Sequence, residues 1–147
     1  MPIAIPVAGA EITAEAFGIP ITNEVNRMSP LVVASTAWVT LPFNTANGWR
    51  AAGGYQAPQY RKVGDIVYLR GTAERSPNTP LDGAIATLPA GFRPPATISS
   101  MCQTYGALVR TDINSVGVIT ALASYVVGTG ANWSYYGLDN ISFSTIA

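Results

Sequence analysis

The chain has no histidine, a single cysteine and little charge. Without histidine there is no imidazole base, no His-ligated metal and no Ser–His nucleophile. Cys102 alone excludes an intrachain disulfide or a paired-cysteine site, and its apolar–polar surroundings read as a buried structural thiol. Only 11% of the 147 residues are charged, eight basic against eight acidic and without runs, where average domains carry about 25%. That balance removes the electrostatic footprint of a nucleic-acid binder or of an anionic-membrane binder. A chain so short of charge either has a Ser/Thr/Asn/Gly-rich surface or hides surface in an oligomer. No stretch reaches the roughly 18 apolar residues of a membrane span, so no membrane insertion is expected. The opening MPIAIPVAGA has no basic residue and is broken by proline, so synthesis in the cytoplasm without a signal peptide is the expectation.

Carboxylates are the remaining catalytic candidates, and they are badly placed. Glycoside hydrolysis needs two carboxyl groups about 5–9.5 Å apart, one with a raised pKa. Glu11, Glu15 and Glu24 fall in a proline-divided N-terminal stretch, and Asp65 and Asp82 in turns. Asp112 has Arg110 on its own strand face, which lowers a carboxyl pKa. Asp139 has no partner visible in the sequence. No catalytic residue, metal site or cofactor is therefore expected.

What is present is a period of two. In Asp65–Glu74, Val67, Leu69, Gly71 and Ala73 point one way while Ile66, Tyr68, Arg70, Thr72 and Glu74 point the other, as in a strand. Val63-Gly64-Asp65 ahead of it reads as a turn and Ser76-Pro-Asn-Thr-Pro80 as a loop. Further strands are expected over Leu31–Phe43, Leu81–Leu88, Thr97–Tyr105, Ala107–Ile113, Val116–Ala123 and within Trp133–Thr145. Trp49–Lys62, broken by Gly53, Gly54 and Pro58, reads as an edge or bulged piece. About eight short strands at this spacing predict an all-β antiparallel sandwich, jelly-roll-like, over residues 31–147. Trp38, Phe92 and Phe143 are expected in its core. Residues 1–30 differ: Pro2, Pro6, Pro20 and Pro30 allow only short helical turns after Thr13 and Thr22 and extended pieces between. This segment is expected to serve oligomerisation or attachment; a strap packed on its own domain is the alternative.

YRKVGDIVYLRG over Tyr60–Gly71, followed by IATLPAGFRP over Ile85–Pro94, resembles the C-terminal domain of phage minor tail proteins, the receptor-binding tips of tail fibres. Trp38-Val-Thr-Leu-Pro42 with Asn47-Gly-Trp49 resembles its first strand, and Gly137-Leu-Asp-Asn-Ile-Ser-Phe143 its last. The matches keep their order across most of the chain, from Trp38 to Phe143. The resemblance implies a homotrimer in the virion tail, contacts with other tail proteins through the N-terminal segment, and attachment to a host surface receptor.

For such a receptor the aromatics are the candidates. Trp49, Tyr55 and Tyr60 lie in a Gly/Pro-broken stretch, Trp133 and Tyr135 in a Gly-flanked one. Flat apolar rings with polar handles suit the C–H faces of a cell-wall or capsular glycan, and Arg50 and Asn132 can supply donors to its hydroxyls. The same rings are also core or subunit-interface material. Tyr135 and Tyr136 are adjacent, so at most one points outward. The alternative function is a structural or decorating tail protein that binds only other virion proteins.

Overall fold

Period-two alternation sets where this chain runs straight, and a few glycines set where it changes sheet. The computed structural model describes residues 33–76, 83–128 and 134–147. Among these residues eleven strands form: β1 (Val39–Thr40), β2 (Trp49–Ala51), β3 (Gln59–Val63), β4 (Ile66–Arg70), β5 (Thr72–Arg75), β6 (Gly83–Thr87), β7 (Ile98–Thr104), β8 (Ala107–Ile113), β9 (Val118–Gly128), β10 (Tyr135–Gly137) and β11 (Ser142–Ser144). Among the described residues there is no α-helix, only a 3₁₀ turn over Thr45–Asn47. One sheet has the order β1-β3-β4-β11 and the other β2-β5-β10-β7-β8-β9-β6. Every pairing between these strands is antiparallel. The expected all-β sandwich is the fold, and Ala34–Ala147 make one compact unit.

Asp65–Glu74 is two strands, not one. Gly71 has φ 92° and carries the chain from β4 in the four-stranded sheet to β5 in the seven-stranded sheet. A Cβ at this position would lie 2.5 Å from the Ala57 carbonyl oxygen, so the corner needs glycine. The Gly71 N–H donates to Asp139 Oδ1 (2.9 Å) and its carbonyl accepts from the Leu138 N–H (2.9 Å). The alternation survives the corner because both sheets turn their inner faces to one core: Val67, Leu69 and Ala73 are all buried.

Other boundaries also move. Of the strand expected over Leu31–Phe43, the described part keeps only β1 and two single bridges, Ser35 to Val63 and Phe43 to Ala86. The second bridge links the chain leaving β1 to β6, at the far edge of the other sheet, and nearly closes the sandwich into a barrel. Trp49–Lys62 divides into β2, an edge strand, and β3, an interior one. The β8–β9 hairpin forms where expected, its turn held by Asn114 Oδ1, which accepts from the N–H groups of Val116 (3.1 Å) and Val118 (2.9 Å).

Between the sheets the largest buried side chains include Trp49, Tyr136, Leu41, Ile85 and Leu88. Trp49 meets Tyr136 edge-on, with ring centres 5.8 Å apart. The Tyr136 hydroxyl bonds the buried Thr111 hydroxyl, and burial raises the pKa of both Tyr136 and the neighbouring Cys102 thiol. Cys102 and Phe143 are buried as expected. Trp38 is not in the core: it is half-buried, with the guanidinium groups of Arg61 and Arg70 against its ring. Phe92 is half-buried, packed edge-on against Tyr60 at 4.9 Å. The segment expected for attachment, residues 1–30, lies outside the described residues.

Candidate functional site

The candidate site is built around the start of β5. Thr72 there is tied through both of its backbone groups: its carbonyl accepts from the Ala52 N–H (3.0 Å) and its N–H donates to the Gln56 carbonyl (2.9 Å). These bonds hold the ends of the turn Ala52-Gly-Gly-Tyr55, in which Gly54 takes φ 79°. Glu74 pins the same turn, accepting from the Gly53 N–H (3.4 Å) and from Arg50 Nε (2.8 Å). The Arg50 hydrogen bond is the main reason the Glu74 carboxyl sits below its ordinary pKa, helped by the Gly53 N–H against a smaller penalty from burial.

β10 pairs with the other side of β5, Tyr135 opposite Glu74 and Gly137 opposite Thr72. This brings Tyr135 onto Tyr55, ring centres 5.3 Å apart and tilted by 45°. Tyr136 pairs with Thr104 at the end of β7, so the two-residue turn Tyr105-Gly106 stands beside both tyrosines. Asp139, fixed by the Gly71 N–H, lines the same space. The result is a surface cleft of about 440 Å³, within the roughly 300–1,000 Å³ of small-molecule sites. Tyr55 is 58%, Tyr105 72% and Tyr135 36% exposed, so all three rings are open to a ligand. Gln103, Thr72 and the second oxygen of Asp139 offer polar partners between them. Among the described residues no lysine or arginine lines the cleft.

The sequence-predicted site residues are thus divided. Tyr55 and Tyr135 come together. Arg50 lies on the edge strand β2, engaged with Glu74, and anchors the Tyr55 turn without lining the cleft. Trp49 and Tyr60 are corrected from candidate ligand faces to core: they are 1% and 7% exposed. The reason is pairing that local glycines and prolines do not reveal. Trp49 opens β2 opposite Arg75, and Tyr60 sits on the inward face of β3 opposite Leu69. Asn132 and Trp133 lie outside the described residues.

Thr72, Gln103, Tyr105 and Asp139 were not singled out from the sequence as ligand contacts. Only Tyr105 had a local signal, a Tyr-Gly step between two alternating runs, which marks a tight hairpin with an exposed first residue. Asp112 is held below the ordinary carboxyl range chiefly by its hydrogen bonds from Arg110, as its place on the strand implied. Among the described residues no group of three or more His, Cys, Asp or Glu side chains gathers, and no helix is long and apolar enough to cross a membrane.

Fold and site together define a β-sandwich module with an aromatic-walled surface cleft. No protein-family model matches the chain, and no curated protein does.

Proposed function

We propose that the chain is a non-enzymatic attachment module of a phage tail, recognising a bacterial cell-wall or capsular glycan in the Tyr55–Tyr135 cleft. The observation that carries the glycan reading is the pair of outward tyrosine rings at 5.3 Å, flanked by Tyr105, Gln103 and Asp139. Tyrosine faces pack on sugar C–H surfaces, while an amide and a carboxylate oxygen order the hydroxyls. The virion setting, a homotrimer and attachment to other tail proteins through residues 1–30 rest on the sequence resemblance. In a trimer three shallow sites would act together, raising avidity without new contacts.

The test is retention of the purified protein on cell walls and capsular glycans from a bacterial panel, beside Tyr55→Ala and Tyr135→Ala. Binding by the parent chain and its loss by about tenfold or more in both variants supports the reading. Variants that keep the parent's circular dichroism and bind as well as it does would exclude the cleft. A second reading, a decorating tail protein, is favoured by Met101, Leu108 and Val127, exposed on strands β7 to β9. Protein that ignores every host surface yet associates with a tail component would favour that one.

A further inference from the structure

A different cluster lies on the outer face of the four-stranded sheet. In β3 and β4, Gln59 stands opposite Arg70 and Arg61 opposite Tyr68, and the intervening Tyr60, Val67 and Leu69 are buried, so these four side chains face away from the core. The Arg70 guanidinium carbon lies 4.0 Å from the centre of the Trp38 ring, and that of Arg61 lies 4.6 Å from it and 5.8 Å from the Tyr68 ring. Arg70 Nε and Nη2 donate to Gln59 Oε1 (2.9 and 2.5 Å). Arg61 Nε is buried without a hydrogen-bond partner. Neither guanidinium meets a carboxylate among the described residues.

Two cations gathered at one indole, with no carboxylate partner among the described residues, repel each other. Gln59 takes the Nε and Nη2 donors of Arg70, so the donors left to a carboxylate or phosphate are the remaining N–H groups of Arg70 and those of Arg61, whose Nε meets no acceptor among the described residues. We propose that Arg61 and Arg70, held by Trp38, form a second ligand site, for an oxyanion; that a bacterial surface polymer carries it rests on the attachment role proposed above. The site shares no residue with the tyrosine cleft and does not depend on what that cleft binds. Its ligand is an acidic sugar carboxylate or a polyol phosphate. A nucleic acid is the poorer fit, because it needs a track of cations, and this chain is neutral overall with its charges dispersed.

The experiment uses the full chain, ¹⁵N-labelled, and follows the Arg Nε–Hε and Trp indole N–H resonances during titration. The probes are trigalacturonate, a glycerol-phosphate oligomer and neutral maltotriose. Saturable shifts at Arg61, Arg70 and Trp38 with either acidic probe, weakened by added salt and absent with maltotriose, are expected; the tighter probe identifies carboxylate or phosphate as the source. In Arg61→Gln/Arg70→Gln the same probe is expected to bind about tenfold or more weakly, while Arg61→Lys, which keeps the charge and loses the fork, falls between. The parent-chain titration stands even where the double variant does not fold. No saturable shift up to about 10 mM of either anion, undiminished affinity in a folded double variant, or preferred binding of a short oligothymidylate would overturn the proposal.

Discussion

Substituting Gly71 by alanine probes the corner on which both the fold and the cleft depend. At φ 92° an L-residue is strained, by about 1–2 kcal/mol. The added methyl would also lie 2.5 Å from the Ala57 oxygen, 2.6 Å from its carbonyl carbon and 2.6 Å from the Gln56 oxygen, all of them backbone. Relieving such overlap moves the 56–57 backbone away from β5, adding about 1–3 kcal/mol. The sum, about 2–5 kcal/mol, lowers the melting temperature by about 5–20 °C for a domain of this size. Two other glycines separate the contributions. Gly91 has φ 86° with nothing within 4 Å of a Cβ, so Gly91→Ala carries only the strain, about 1–2 kcal/mol. Gly53 has neither positive φ nor a neighbour within 4 Å, so Gly53→Ala stays within about 0.5 kcal/mol. Urea unfolding followed by circular dichroism and tryptophan fluorescence measures all three. Gly71→Ala as mild as Gly53→Ala would refute the close crossing of β4 into β5.

The buried hydroxyl pair gives a second test: Tyr136→Phe removes the hydroxyl that the fully buried Thr111 hydroxyl bonds and costs about 1–3 kcal/mol, much of it recovered in Tyr136→Phe/Thr111→Val. Trp49→Ala, at a core position packed edge-on against Tyr136, costs about 3–5 kcal/mol in the same urea assay; any loss of glycan retention should track its unfolded fraction. The pH dependence has a definite sign on each side. Glu74 and Asp112 are lowered in the folded chain from ordinary values of 4.5 and 3.8, so the stability they contribute is present above those values and is lost as pH falls through the folded ones. Glu74→Gln and Asp112→Asn each flatten that acid limb. Cys102 and Tyr136 are raised from 9.0 and 10.0 by burial, so stability declines as pH rises beyond those values, and Tyr136→Phe removes the tyrosine share.

The β-sandwich was legible because alternation is local: each of Val67, Leu69, Val109 and Ile113 announces its face through its neighbours, and each is buried. The corner at Gly71 was not, because the inward face continues unbroken through it and only the Ala57 backbone, distant in sequence, requires glycine there. Trp38 misled for a related reason. Its strand pattern reads as core, yet the positions that share its surroundings carry Arg61 and Arg70, and an indole serves as a platform for cations as readily as it fills a core. The cleft was half legible. Tyr55 and Tyr135 could be named as exposed aromatics one at a time, but their meeting depends on β2 and β10 flanking β5, a sheet order that strand spacing does not encode. Asp139 belongs to the same class: its partner is the Gly71 N–H, 68 residues away.

The proposed receptor role of the tyrosine cleft is addressed most directly by ¹H–¹⁵N and aromatic ¹H–¹³C mapping of the full chain with a neutral oligosaccharide from a wall or capsule that retains the protein. The expected result is saturable shifts gathered at Tyr55, Thr72, Gln103, Tyr105 and Tyr135, with the rest of the sandwich unchanged. Binding that leaves those residues unmoved and shifts another face would contradict it.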